Sequence, residues 1–150
     1  MNDVLLVVVV VVALGFDFTN GFHDTANAVA TSVSTRALTP RLAVLIASCA
    51  NLAGAFVTTA VAKTVGKDIV ASDLINTKTV LAALLGAITW NLLTWWLGLP
   101  SSSSHALIGG FAGAAVAKAG WGALVPTGLL KITAFIVLAP VIGMALGFAL

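Results

Sequence analysis

Two polar stretches interrupt a strongly apolar chain: NGFHDTANA at Asn20–Ala28 and PSSSSH at Pro100–His105. Placed on a helix, Asn20, Asp24, Asn27, Thr31 and Ser34 recur at spacings of four, three, four and three residues and share one face, while Phe22, Ala26, Val29 and Val33 share the other. A polar stripe at membrane depth must meet protein or water rather than lipid. Asp24 is the sharpest residue on it, because an Asp at the centre of a membrane helix costs about 2.5–3.5 kcal/mol on insertion scales. The competing reading places Asp24 at the interface, hydrated or paired with Arg36 or His23. The oxygens of Asp24, Asn27 and Thr31 suit a hard cation such as sodium. The same carboxylate can instead accept a hydroxyl from a protonated oxyanion, whereas it repels an anion with no proton to donate. His23 either titrates near neutral pH or is a satisfied packing histidine.

The second stretch has a different chemistry. Pro100 stops the preceding helix, and serine is among the best residues to cap the next one. A helix starting near Ser104 points free backbone N–H groups and the positive end of its dipole forward, and the hydroxyls of Ser101–Ser104 add rotatable donors. That combination binds anions without a fixed positive charge; the plainer alternative is a serine-rich surface loop. Two neighbours favour the first reading. Small residues recur at four-residue spacing in Ala106, Gly110 and Ala114 and in Gly109 and Gly113, which permits close helix contact. Asn91, inside the preceding apolar span, is one more polar group in need of an interior partner. Hydrolase chemistry is disfavoured: Ser104 and His105 are chain neighbours, and neither a GxSxG turn nor a third orienting group accompanies them.

The elements that must carry these residues are membrane helices. Of 150 residues, 60% are hydrophobic and 8% charged, and mean hydropathy is +1.12, against about a quarter charged residues in soluble domains. The net charge of +2, spread along the chain, excludes a nucleic-acid footprint. The single Cys49 lies in an apolar run and implies no disulfide framework. The first apolar run lacks the positive start and cleavage site of a signal peptide and carries Asp3, so it reads as a retained span. Hydropathy predicts spans at about 4–20, 42–62, 79–99 and 129–150, with a re-entrant or short helix at about 104–117. Lys63–Lys78, with three Lys and two Asp, reads as an aqueous loop with a short turn over Ser72–Asn76. Basic residues flank both ends of the second span, so charge does not assign an orientation. The predicted fold is an all-α polytopic transmembrane bundle with a broken or re-entrant helix, in one transmembrane domain.

NGFHDTANAVAT at Asn20–Thr31, TRA around Arg36 and WNLLTWWLGLPSSSSHALIGG at Trp90–Gly110 closely resemble the inorganic phosphate transporter (PiT) family, N-terminal part, and its bacterial low-affinity members in particular. The resemblance implies a secondary transporter of two inverted repeats, each giving one Asn/Asp motif and one serine-rich broken helix to a shared phosphate site. The matching residues are Asp24 and Asn27 in the first motif and Ser102, Ser103, Ser104 and His105 in the second. Asn20, His23, Thr31 and Asn91 are supporting candidates beside His105. The implied function is phosphate symport with a proton or sodium, or of a metal–phosphate; Asp24 and Asn27 are the metal ligands if sodium is the coupling ion. The NGFHD form is closer to proton-coupled or metal–phosphate members. A sulfate permease and a non-transporting subunit or receptor-like protein are the alternatives. The resemblance implies no enzyme activity, no cofactor beyond the coupling cation and no nucleic acid. Its expected partners are phosphate, lipid and either a C-terminal repeat beyond Leu150, a second subunit or a second copy, in a bacterial inner membrane.

Overall fold

The computed structural model describes residues 3–57 and 68–149. Among the described residues five α-helices follow one another: α1 (Asp3–Ser34), α2 (Pro40–Val57), α3 (Thr77–Trp96), α4 (Ser103–Ala119) and α5 (Pro126–Ala149). All but α4 are long and apolar enough to cross a membrane. Among the described residues the only extended pairing is one isolated antiparallel bridge, Val70 with Leu124.

The first polar stretch does not interrupt the backbone. α1 runs unbroken for 32 residues, roughly 48 Å at 1.5 Å per residue, well past the point near residue 20 where its apolar run ends. Helix persists because the polar residues recur with the helical period and no proline falls among them. It closes where Arg36 takes a left-handed backbone (φ 62°) and the Leu38 N–H donates to Ser32 O at 3.1 Å, satisfying a carbonyl of the last turn.

The second stretch does break the chain. α3 begins at an Asn76 cap, whose side chain accepts from Thr79 N at 3.0 Å. It ends where Gly98 turns left-handed (φ 66°) and Leu99 N–H donates to Thr94 O at 2.8 Å. Gly98 is needed there, since a side chain is strained in that conformation. Pro100 cannot continue the helix, and α4 restarts under a Ser102 cap that accepts from His105 N at 3.4 Å.

α3 and α4 form the tightest pair. In a bilayer, helix association rests on close van der Waals approach rather than on expulsion of water, and small residues allow that approach. A Cβ on Gly110 would stand 2.3 Å from the Ala83 carbonyl oxygen, so the two backbones are in direct contact there. Only one of the two small-residue rows serves this purpose: Gly109 and Gly113 meet nothing within 4 Å. Below this contact a core forms from Ile69, Val70, Ala83, Phe111, Ala115 and Ala123; a second, between α1 and α3, holds Phe16, Leu84 and Ala87.

The described part of the 63–78 segment differs from an aqueous loop; residues 63–67 lie outside the described residues. Ile69 and Val70 are fully buried. Ile69 O accepts from Val125 N at 3.0 Å and Ala71 N donates to Ala123 O at 3.1 Å. Gly128 is flush against this strand-like segment, since a Cβ there would fall 1.5 Å from Asp68 O. The charges flanking Ile69 and Val70 obscured an apolar pair that plugs the end of the α3–α4 hairpin. Ser72–Leu74 forms a short 3-10 turn, and Leu74 O accepts from Lys118 Nζ at 2.9 Å.

α5 and α2 are exposed along nearly their whole length: Gly128 and Ala43 are their only buried residues. With side chains such as Phe56, Ile136 and Phe148 outward, these surfaces suit lipid or further protein, not water.

Gly110→Ala is expected to push α3 and α4 apart, at a cost of about 1–3 kcal/mol. Thermal unfolding of the detergent-solubilised protein should show a Tm lowered by several degrees, with Gly109→Ala unchanged or slightly raised as the control.

Candidate functional site

The buried face of α3 changes character along its length, from Ala83, Leu84 and Ala87 to Asn91 and Thr94. The polar end lies beside the middle of α1 and the start of α4, and the two sequence motifs meet there.

Ser103, the first residue of α4, is fully buried. Its Oγ lies within hydrogen-bonding reach of Asn20 Oδ1 and Asp24 Oδ2. One hydroxyl proton cannot serve two oxygen acceptors. With the Asn20 amide turned to present Nδ2, Ser103 accepts from Asn20 and donates to Asp24, and all three groups are matched. Three converging oxygens are equally the surroundings a small hard cation takes.

The rest of the serine turn is tied to the same helix faces. Asn27 Nδ2 donates to Ser101 O at 3.3 Å, and Trp90 Nε1 donates to Ser101 Oγ at 3.1 Å. Ser102 caps α4. The start of α4 therefore lies beside the Asp24 carboxylate.

On the far side of Asp24, His23 is buried. Its Nδ1 stands 3.5 Å from Asp24 Oδ1, with Asp24 39% exposed; the approach is too poorly aligned to be a hydrogen bond, and Nδ1 has no such partner. Its Nε2 lies 3.3 Å from Thr94 Oγ1. Asn91 is fully buried, and neither atom of its amide is hydrogen-bonded; an unmatched buried group of this kind costs about 1–3 kcal/mol.

Of the candidates named from sequence, Asn20, His23, Asp24, Asn27, Ser102 and Ser103 come together here, and Asn91 lies one turn from Thr94. Thr31 does not join them. It is exposed, about two turns beyond Asp24, and its carbonyl accepts from Ser34 Oγ and Thr35 Oγ1. Ser104 and His105 are exposed, and His105 lines a separate groove of 610 Å³ with Trp90, Gly86 and Gly109.

Other residues were not singled out from sequence. A cavity of 600 Å³ between α1 and α2 is lined by Asp17, Asn20, Asp24, Thr25 and Asn51, among others. Asp17 lies seven residues before Asp24, two turns on the same face, so helical spacing alone was sufficient to find it. Asn51 carried no such signal, because nothing in the sequence says which face of α2 meets α1. Thr94 and Trp90 position the site from α3.

The family described as "Phosphate transporter family" matches residues 20–150. A probable low-affinity inorganic phosphate transporter of Bacillus subtilis (strain 168) is 55% identical over 149 residues, 98% of this chain and 45% of that protein. One of the same description from Streptomyces halstedii is 55% identical over 155 residues, covering 100% of this chain and 71% of that protein. The low-affinity inorganic phosphate transporter PitB of Escherichia coli (strain K12) is 40% identical over 125 residues. A solved structure, "The sodium-dependent phosphate transporter", superposes with a TM-score of 0.86 at 30% identity, over 93% of this chain and 36% of its own. The chain thus spans less than half the length of the Bacillus relative and of the solved transporter. The four apolar helices make it an integral, multi-pass membrane protein, and its relatives' bacterial origin points to the plasma membrane. With an all-helical fold shared with a phosphate transporter and a family match over 131 of its 150 residues, the chain belongs to the phosphate transporter family.

Proposed function

We propose that this chain contributes half of the binding site of a symporter for inorganic phosphate. The single observation that carries the reading is the junction of Asp24 and Asn20 on α1 with Ser103 at the start of α4. It supports phosphate chemistry because it pairs an acceptor with donors. The α4 end and the serine hydroxyls suit an oxyanion's unprotonated oxygens, and Asp24 suits its hydroxyl or the coupling cation. Phosphate keeps at least one hydroxyl near neutral pH, whereas sulfate has none to give a carboxylate.

In this reading Ser103 and Ser102 bind the anion, Asp24 and Asn27 bind the phosphate hydroxyl or the cation, and Asn20 orients Ser103. Ser104 and His105, exposed on the other side, have a lesser part. The coupling cation is a proton or sodium. A second repeat completes the site, and the exposed faces of α2 and α5 meet it or lipid. The names of the relatives support phosphate as the substrate.

Asp24→Asn, tested in vesicles holding the protein in its complete reading frame, is expected to abolish uptake of labelled phosphate; uptake at the wild-type rate would overturn Asp24's role. Ser103→Ala removes a hydrogen bond to a charged group, worth about 1.5–3 kcal/mol. The apparent KM for phosphate should therefore rise roughly ten-fold or more. An unchanged KM would leave Ser103 only a structural link between α4 and α1.

A further inference from the structure

Among the described residues, Asn91 is the fully buried polar side chain whose donor and acceptor are both without a hydrogen-bond partner. Its place follows from the packing on either side. Ala87, one turn before it, shares a core with Phe16 of α1, and Thr94, nearly one turn after it, meets His23 of α1 at 3.3 Å. Both pairs are 71 residues apart, so α1 and α3 run side by side in the same direction and in register. The same offset sets Asn91 opposite Asn20. Thr19, next to Asn20, donates its hydroxyl to Phe16 O at 2.8 Å, whereas the Asn20 amide reaches Ser103 Oγ. An apolar side chain at position 91 would fill this layer and leave no polar group unmatched. Nothing in the arrangement that joins Ser103 to Asn20 and Asp24 offsets the Asn91 amide, so its match belongs to another arrangement of the site.

We infer that Asn91 is a positioning residue of the phosphate site, which takes over the Asn20 amide when Ser103 turns to the anion. This rests on the phosphate reading above and adds a residue to that site. Ser103 has one hydroxyl proton, and it goes to Asp24 in the junction with Asn20. A phosphate oxygen needs that proton, so Ser103 must turn away from Asp24 and Asn20 to give it. The Asn20 amide is then left to find another partner. Opposite it in register stands an amide with its donor and its acceptor both open. Two amides pair reciprocally, Nδ2 of each donating to Oδ1 of the other. The exchange matches Asn20 and Asn91 together, and it favours the phosphate-bound arrangement over the one in which Ser103 is tied to α1.

Two simpler roles fit less well. Asn91 lines neither the α1–α2 cavity, nor the smaller cavity beside His23, nor the groove beside Trp90. Phosphate reaching Asp24 through the α1–α2 cavity meets Asn20, and Asn91 stands behind Asn20 on α3. A direct ligand would line the space its ligand enters. An amide that only holds helices together would be matched where they pack, as Asn76 is with Thr79 N at 3.0 Å and Asn27 with Ser101 O at 3.3 Å.

The test uses the protein in its complete reading frame. Asn91→Leu keeps the branched shape of the side chain, and Asn91→Ala makes room. In detergent without phosphate, at least one of the two should unfold at or above the wild-type temperature, since only an unmatched amide is lost. A Tm lowered by several degrees in both, or failure of both to fold, means that the amide is matched without phosphate and overturns the proposal. For the more stable variant, the Kd of labelled phosphate and the KM for its uptake into vesicles should rise about two- to ten-fold, with the maximal rate little changed. An unchanged Kd overturns the proposal. In an Asn20→Ala background the same substitution should raise the Kd no further. A further rise there makes Asn91 a direct phosphate ligand, and loss of all binding in Asn20→Ala makes Asn20 one; either result overturns the positioning role. A wild type that neither binds nor takes up phosphate would instead overturn the functional reading itself.

Discussion

A carboxylate in the middle of a long apolar helix has to be matched by protein, because lipid offers it nothing. Asp24 is that group, and much of the described structure is arranged around its match. α3 must stop early enough for the chain to turn, Pro100 must prevent its continuation, and α4 must restart with Ser103 facing α1. The Gly98 turn, the Ser102 cap and the Trp90 and Asn27 contacts to Ser101 hold the serine turn in the one place where Ser103 reaches Asn20 and Asp24.

The same requirement explains the split personality of α3. Its lower part packs by shape alone, with Ala83 seated on Gly110 and Leu84 and Ala87 against α1. Its upper part meets α1 through a polar contact, Thr94 Oγ1 with His23 Nε2, beside the buried and unmatched Asn91. Shape-based contacts fix where the helices lie, and that placement brings the polar groups within reach of each other. The plug of Ile69 and Val70 closes the opposite end of the hairpin and keeps its base in position.

Each half of the site was legible in the sequence by itself. The four-and-three spacing put Asn20, Asp24 and Asn27 on one face, and proline followed by serines marked a helix start. That these halves touch was not legible, because 79 residues separate Asp24 from Ser103 and no periodicity relates one helix to another. A run of four serines likewise cannot say which one faces inward. Ser103 is buried and Ser104 exposed, a difference of one residue and about 100° of helix rotation. Thr31 fitted the spacing, but α4 begins beside Asp24 and not beside Thr31. Ile69 and Val70 were obscured by their charged neighbours. Family resemblance could supply the phosphate chemistry that composition and spacing left open between a cation and an oxyanion.

The Gly110–Ala83 contact has a mechanical consequence. Backbone touches backbone there, with no flexible side chain between to absorb displacement. The α3–α4 hairpin is therefore stiff at its waist, a lever that α1 meets through side chains, Phe16 beside Leu84 and Ala87 and the polar contacts beyond them. Ser103 and Thr94 ride on the lever, and Asp24 and His23 on the helix it works against. Any tilt of one body on the other would change the Ser103–Asp24 and Thr94–His23 contacts together, so the hairpin and the site are mechanically linked.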